Sequence, residues 1–325
     1  MKHAFFALLA LWALSGPAHA AGDWDLDGWL DVFIARHHPD PIYDTLKSVD
    51  LTGTGNSVLL NTKGTLTELE NALPEADVEA LTFMGAWLDT DGDQDLDLYT
   101  ANDFGMFVEP NQLLENTGGE VFTRVDDTGA QIAMNAMGIA ADDFDGDGWI
   151  DLMVSNWDIA GQLLCYRNNG DGTFSECTKE AGLTGLFGGL NLIQADYDND
   201  GDVDVLVLRG GWQETGSEIS HPNSLLQNDG KGHFRDVTFA AGLRESDFPT
   251  QTASWADFDN DGLLDLYVGN ESFPCQLFKN NGDGTFRNVA RSAGVENGRY
   301  TKGVIWGDFD NDRFPDLYVS NFGTP

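Results

Sequence analysis

Short apolar runs of strand length, rich in β-branched and aromatic residues, recur along the chain between polar, glycine-containing stretches. Leu266-Tyr267-Val268-Gly269-Asn270 and Leu317-Tyr318-Val319-Ser320-Asn321 are two of them, each ending on a polar residue. Runs of this length and make-up predict strands, not helices. An acidic stretch stands directly before each run. Ahead of that lies another strand-like segment, often with Trp two residues before the first aspartate (Trp87, Trp255, Trp306). Farther on, Asn168-Asn169-Gly170-Asp171-Gly172-Thr173-Phe174 signals a hairpin, matched by Asn228 to Phe234 and Asn280 to Phe286. Glycine there supplies the positive φ of a tight turn. The unit therefore reads strand A, acidic loop, strand B, strand C, glycine-rich hairpin, strand D. Four antiparallel strands repeating every 50 to 60 residues or so, roughly one blade each, predict an all-β chain of β-propeller type.

The acidic stretch carries the chemistry. Aspartates stand at positions 1, 3, 5 and 9 of a nine-residue loop in six places. These are Asp23, Asp25, Asp27, Asp31; Asp89, Asp91, Asp93, Asp97; and Asp143, Asp145, Asp147, Asp151. The set returns as Asp196, Asp198, Asp200, Asp204; Asp257, Asp259, Asp261, Asp265; and Asp308, Asp310, Asp312, Asp316. Alternate side chains can converge on one point, and position 7 (Trp29, Asp95, Trp149, Asp202, Leu263, Phe314) can add a backbone carbonyl. An oxygen-only set of this kind suits a hard cation such as Ca²⁺. Position 6 is Gly28, Gly148, Gly201 and Gly262, but Gln94 and Arg313 in the other two loops, and Arg313 makes the last site the weakest expectation. An EF-hand is excluded, because position 12 holds Ile34, Thr100, Val154, Val207, Val268 or Val319 inside a strand, where that motif needs a bidentate Glu.

The stretches DFDGDGWIDLMVSNW, ADFDNDGLLDLYVGN and NNGDGTF resemble the FG-GAP/VCBS repeats of integrin-α-like propellers, including bacterial relatives of cartilage acidic protein. The resemblance covers nearly all of the chain after its first twenty residues. It implies that Ca²⁺ binds between strands A and B through the aspartates named above. The first loop begins two residues after a predicted cleavage point, so its unit is expected to lack strand A, and the last unit stops after strand B. Four complete blades and two partial ones follow: an open or truncated array, or one completed by a partner.

Composition narrows the partners. With 54 acidic against 17 basic residues and a net charge of −37 over 325 residues, attraction to nucleic acid or an anionic membrane is disfavoured. A hydrophobic content of 41% is that of a folded protein. Lys2, the apolar run from Ala4 to Leu14 and Ala18-His19-Ala20 predict an export signal over residues 1–20, leaving a repeat domain over 21–325 that is periplasmic, secreted or attached to the cell surface.

Cys165 aligns with Leu113, Leu225 and Leu277 on strand C, and Cys177 with Val125, Val237 and Val289 on strand D. Symmetric about Asp171, the two are expected to face each other as a disulfide, leaving Cys275 alone. His37, His38, His221 and His233 read as loop residues, and the recurring tryptophans as core. Trp157 and Trp212 are weak ligand-contact candidates. Acids that repeat from blade to blade favour structural ions over a catalytic site. The expected function is recognition of an extracellular or cell-surface protein or glycan, without catalysis. Two other readings stand beside it: a Ca²⁺-dependent polysaccharide lyase or hydrolase, and a segment of a larger surface assembly.

Overall fold

Strands carry nearly all the regular structure. The computed structural model describes residues 19–36, 55–158, 160–210, 221–243 and 248–322, so most of the predicted export signal, His37, His38 and Trp212 lie outside the described residues. The helices α1 (Glu75–Val78) and α2 (Ala290–Ala293) are single turns. The chain divides into two compact units. The first holds Met1–Ala141, Trp149–Val154 and Tyr166–Cys177, and the second holds Asp142–Gly148, Ser155–Cys165 and Thr178–Pro325.

Within the first unit, β1 (His19–Gly22), β2 (Asp31–Ile34), β3 (Ser57–Thr62) and β4 (Thr65–Glu68) lie side by side in that order. A second sheet is built likewise from β5 (Thr82–Leu88), β6 (Asp97–Asn102), β7 (Gln112–Asn116) and β8 (Phe122–Arg124). Every residue of β6 is buried. A strand covered on both faces needs apolar or satisfied side chains throughout, hence a continuous run and no alternation. Trp24, Phe33, Val58, Leu98, Leu114 and Phe122 form the core between these sheets, with Trp87 partly buried against it. The Trp24 and Trp87 rings lie 5.3 and 5.5 Å from that of Phe122. Gly85 permits the close approach of β5, since a Cβ there would sit 2.5 Å from the Phe33 ring.

One expectation fails here: the first sheet has its strand A. β1 pairs antiparallel with β2, His19 opposite Ile34 and Gly22 opposite Asp31. Small residues suit this place, because a Cβ on Gly22 would meet Trp87 at 2.9 Å. The strand begins within the stretch that resembles a cleavage site, and Gly22, two residues beyond it, fills the position beside the tryptophan.

The third sheet, of β9 (Ala136–Asp142), β10 (Asp151–Asn156), β11 (Leu164–Asn168) and β12 (Phe174–Glu176), has residues in both units. The second unit contains two further four-stranded sheets. One is β13 (Asn191–Ala195), β14 (Asp204–Leu208), β15 (Ser224–Asn228) and β16 (Phe234–Asp236). The other is β17 (Thr250–Ala256), β18 (Asp265–Asn270), β19 (Gln276–Asn280) and β20 (Phe286–Asn288). Last comes a two-stranded sheet, β21 (Tyr300–Gly307) with β22 (Asp316–Phe322). Tyr197, Leu206, Leu225, Leu266, Phe278 and Phe286 pack in one core, with Trp255 partly buried against it. Tyr267, Leu277 and Val304 pack in another, joined by Trp306.

The molecule is therefore all-β, a series of propeller-type blades in which consecutive strands are neighbours. Among the described residues five sheets have four strands and one has two, where four complete and two partial units were expected. Each acidic loop joins strands A and B, and each of the residues at position 12 lies in a strand. Register shifts at the starts of β5, β17 and β21 place an extra residue, Phe83, Gln251 or Lys302, in the A strand.

Candidate metal centres

The six loops fold alike because the aspartates bind the loop's own backbone. Oδ2 of the first aspartate accepts the N–H of position 6: Asp23 from Gly28 (2.9 Å), Asp89 from Gln94 (3.2 Å), Asp143 from Gly148 (2.9 Å). Asp196 does so from Gly201 (3.1 Å), Asp257 from Gly262 (2.8 Å) and Asp308 from Arg313 (3.1 Å). The fifth-position carboxylate accepts the N–H of position 7, as Asp27 does from Trp29, Asp93 from Asp95, Asp200 from Asp202, Asp261 from Leu263 and Asp312 from Phe314. These bonds require a left-handed residue at position 6. Gly28, Gly148, Gly201 and Gly262 have φ of 90°, 95°, 95° and 88°, and Gln94 and Arg313 take up 77° all the same. The two departures from glycine therefore keep the loop and carry the steric cost of a Cβ in that region.

The ninth-position aspartate does more than complete a ligand set. Asp265 is fully buried; its Oδ2 accepts Phe258 N (3.2 Å) and its Oδ1 accepts Asn280 N (2.8 Å). Asp31 binds Trp24 N and Asn61 N, Asp204 binds Tyr197 N and Asn228 N, and Asp97 binds Thr90 N and Asn116 N in the same way. Asp151 accepts Asn168 N at 2.9 Å, and Asp316 accepts Phe309 N at 2.9 Å. The partner asparagine, at or next to the end of strand C, is a functional position that the sequence reading missed. It appeared only as the first letter of a turn motif. In three sheets its side chain reaches back to the second residue of the preceding loop. Asn116 Nδ2 donates to Trp24 O (3.1 Å), Asn228 to Phe144 O (2.9 Å) and Asn280 to Tyr197 O (2.8 Å). Gly172 N on Thr90 O and Gly232 N on Phe144 O add to the same tie. The first five loops are thus fastened to their own strand C, and the first four also to the sheet that follows.

One carboxylate oxygen from each of three aspartates lies within 4.8 Å of the others in several loops: Asp23, Asp25, Asp27; Asp89, Asp91, Asp93; Asp196, Asp198, Asp204; and Asp257, Asp259, Asp265. That spacing leaves room for an ion about 2.3–2.6 Å from each oxygen, the range of calcium. Asp143, Asp145 and Asp147 belong to the second unit, Trp149 and Asp151 to the first. Asp308, Asp310 and Asp312 repeat the backbone bonding of the other loops. Among the described residues of the loops, three carboxylate oxygens, Asp23 Oδ1, Asp95 Oδ1 and Asp198 Oδ1, are buried without any hydrogen-bond donor, as is Asp77 Oδ2 outside them. An uncompensated buried acceptor is costly, and a cation is what it lacks. Burial first, and neighbouring carboxylates second, push Asp95 up to about 6. Burial likewise lifts Asp31 and Asp265 to about 6 and Asp204 to about 7, with backbone N–H bonds opposing it.

Position 7 side chains cover the hairpin. A Cβ on Gly170 would strike the Trp149 ring at 2.5 Å, on Gly230 the Asp202 carboxylate at 2.4 Å, and on Gly282 the Leu263 side chain at 3.2 Å. Hairpin glycine thus serves this contact as well as the turn. Cys165, Cys177 and Cys275 are all buried. The β11–β12 ladder pairs Tyr166 with Glu176, and the two cysteines are the next residues outward. His221 stacks on Phe187, with ring centroids 4.5 Å apart, and His233 lies 3.2 Å from Asp229. A polar set that does not repeat, and that sequence reasoning did not find, joins the two A-strand bulges of the second unit. Lys302 Nζ donates to Gln251 Oε1 (2.8 Å), and Gln251 Nε2 donates to Glu271. Burial lowers the Lys302 pKa and raises that of Glu271.

Comparison with known proteins agrees with this geometry. A family model described as FG-GAP-like repeat matches residues 89–154, 143–207, 215–268 and 269–319, more than half of the chain. Cartilage acidic protein 1 of Homo sapiens is 28% identical over 210 residues, covering 59% of this chain and 31% of that protein. The Mus musculus protein is 27% identical over 210 residues, 59% of this chain and 32% of its own. The chain thus spans about a third of the length of these relatives. Among solved structures, BBS1N, crystallised in complex with ARL6DN, superposes with a TM-score of 0.51 at 8% identity, covering 95% of this chain and 78% of that one, a likeness of fold alone.

Replacing Gln94 or Arg313 by Gly should remove the left-handed strain and raise stability by about 0.5–1 kcal/mol each. Urea denaturation in calcium-containing buffer measures it; a fall in midpoint for both would show that these loops do not need the conformation described.

Proposed function

The chain belongs to the FG-GAP-like repeat family, and we propose that it is an exported, calcium-braced recognition module that binds a protein or glycan outside the cytoplasm. What carries the calcium reading is the set of buried carboxylate oxygens without donors, in loops whose aspartates already stand at ion-binding distance. Positions 1, 3, 5 and 9 would hold the ion, with the position 7 carbonyl (Trp29, Asp95, Trp149, Asp202, Leu263 or Phe314) as a further ligand. Calcium bound there supplies positive charge that offsets the crowded carboxylates. The protein's own part is to fix those carboxylates: Asp265 and its counterparts hold the loop to strand C, and the following asparagine holds it to the next sheet.

Recognition belongs to segments that do not repeat. The best supported is the stretch between β6 and β7, which exposes Met106 (62%), Phe107 (72%) and Val108 (40%). Its base is firm. Gly105 N donates to Met134 O at 2.9 Å, Val108 N to Phe104 O at 3.0 Å, and Glu109 accepts from Arg124 at 2.8 Å and from Gln112 at 3.1 Å. Exposed large apolar side chains on a fixed base are what a protein partner uses as an anchor. Export through the segment ending at Ala20 places that surface outside the cytoplasm and leaves Ala21 and Gly22 of β1 in the mature chain. Export also gives Cys165 and Cys177 the environment in which to form a disulfide.

Two outcomes follow. In a screen of surface proteins and glycans, the chain should bind a partner in calcium, lose it in EDTA and bind it more weakly as the Phe107→Ser variant. Absence of any binding, or release of unsaturated sugar products from a polysaccharide, contradicts the reading. Non-reducing peptide mapping of the exported protein should recover Cys165 joined to Cys177, whereas complete alkylation of both without a reductant contradicts the pairing.

A further inference from the structure

The residue just before the strand-C asparagine differs from sheet to sheet: Leu60, Glu115, Arg167, Gln227 and Lys279 precede Asn61, Asn116, Asn168, Asn228 and Asn280. From this place a long side chain reaches the acidic loop of its own sheet. Gln227 Nε2 donates to Asp198 Oδ2 at 2.7 Å. Lys279 goes further, because its Nζ donates to both Asp259 Oδ2 and Asp261 Oδ2, the latter at 2.8 Å. The ammonium also lies 5.5 Å from the centroid of the Phe258 ring, and only 16% of the side chain is exposed.

The loops differ accordingly in what they leave unsatisfied. In 196–204, beside neutral Gln227, Asp198 keeps a buried oxygen without a donor. In 257–265, Asp259 and Asp261 are exposed and both accept from the Lys279 ammonium. Lysine has three donors and no acceptor, so it can replace a cation among carboxylates but cannot help to ligate one. A divalent ion entering 257–265 must displace the ammonium or sit beside it against charge repulsion.

We propose that Lys279 is an intramolecular cation that competes with calcium for the 257–265 loop. This loop then binds calcium more weakly than 196–204 and stays braced when calcium is scarce. The repeats form a graded series in which one strand-C residue sets the affinity of each loop. The inference rests on the calcium reading above, and its test separates the two.

Hydrogen exchange of the full chain, followed by mass spectrometry through a calcium titration, reads peptides covering 196–204 and 257–265 separately. In the wild type, half-protection of 257–265 should need about tenfold more calcium than that of 196–204, the effect of one partly buried charge. Lys279→Gln should close the gap and lower protection of 257–265 in EDTA. Gln227→Lys, a change in a different sheet, should impose the same shift on 196–204. Equal midpoints in the wild type, or Lys279→Gln and Gln227→Lys without effect on their loops, overturn the proposal while leaving calcium binding intact. Calcium-independent exchange in both loops overturns the calcium reading itself.

Discussion

A buried carboxylate at the ninth position of the first five acidic loops (Asp31, Asp97, Asp151, Asp204 and Asp265) is the constraint on which the rest depends. Asp265 shows it most fully: one oxygen holds the start of its own loop and the other holds Asn280 at the end of strand C. Burying a charge of this kind is tolerable only when its oxygens are satisfied. The two backbone N–H groups do that, and they thereby fix the angle between loop and sheet. Asn280 in turn ties the sheet to Tyr197 O of the preceding loop. The ligand geometry and the joining of successive sheets share the same few residues. Disturbing one loop is therefore felt in its neighbour.

Crowding the remaining aspartates around that point opposes the arrangement. Carboxylates within 4.8 Å of one another repel, and several hold buried oxygens without donors. The apolar cores supply the general driving force for folding, with about 1.5–3 kcal/mol for each large side chain buried. They do not relieve a local excess of negative charge. A cation bound there would, which is the physical ground for the proposal that loop and ion form one structural part wherever strand A turns into strand B.

Much of this was legible in the sequence because the same motifs recur in the same order in each unit. The alternation of apolar run, acidic loop and glycine hairpin located the strands and placed the loop between A and B, since a strand buried on both faces and a turn of positive φ each demand particular residues. What stayed hidden was long-range. Asn116, Asn228 and Asn280 look like ordinary turn residues until their side chains are seen on the preceding loop. Gln251, Glu271 and Lys302 come from separate segments and share no motif. Gln94 and Arg313 suggested weaker loops, yet their backbone follows the glycine loops, because the Asp89 and Asp308 carboxylates hold it there. His19 to Gly22 misled in the opposite sense, the strand beginning within the stretch that resembles a cleavage site.

The proposed function is thereby divided between two kinds of segment. The repeating loops hold the fold, and variety lies in what surrounds them: the exposed stretch around Phe107 and the changing residue beside each asparagine. The claim beneath all of this is that calcium braces the loops, and calorimetry of the full chain in calcium and then in EDTA tests it most directly. Several sites filled well above their dissociation constants predict a fall of about 10 °C or more in Tm on chelation, restored by calcium. A melting curve unchanged by EDTA would contradict the account.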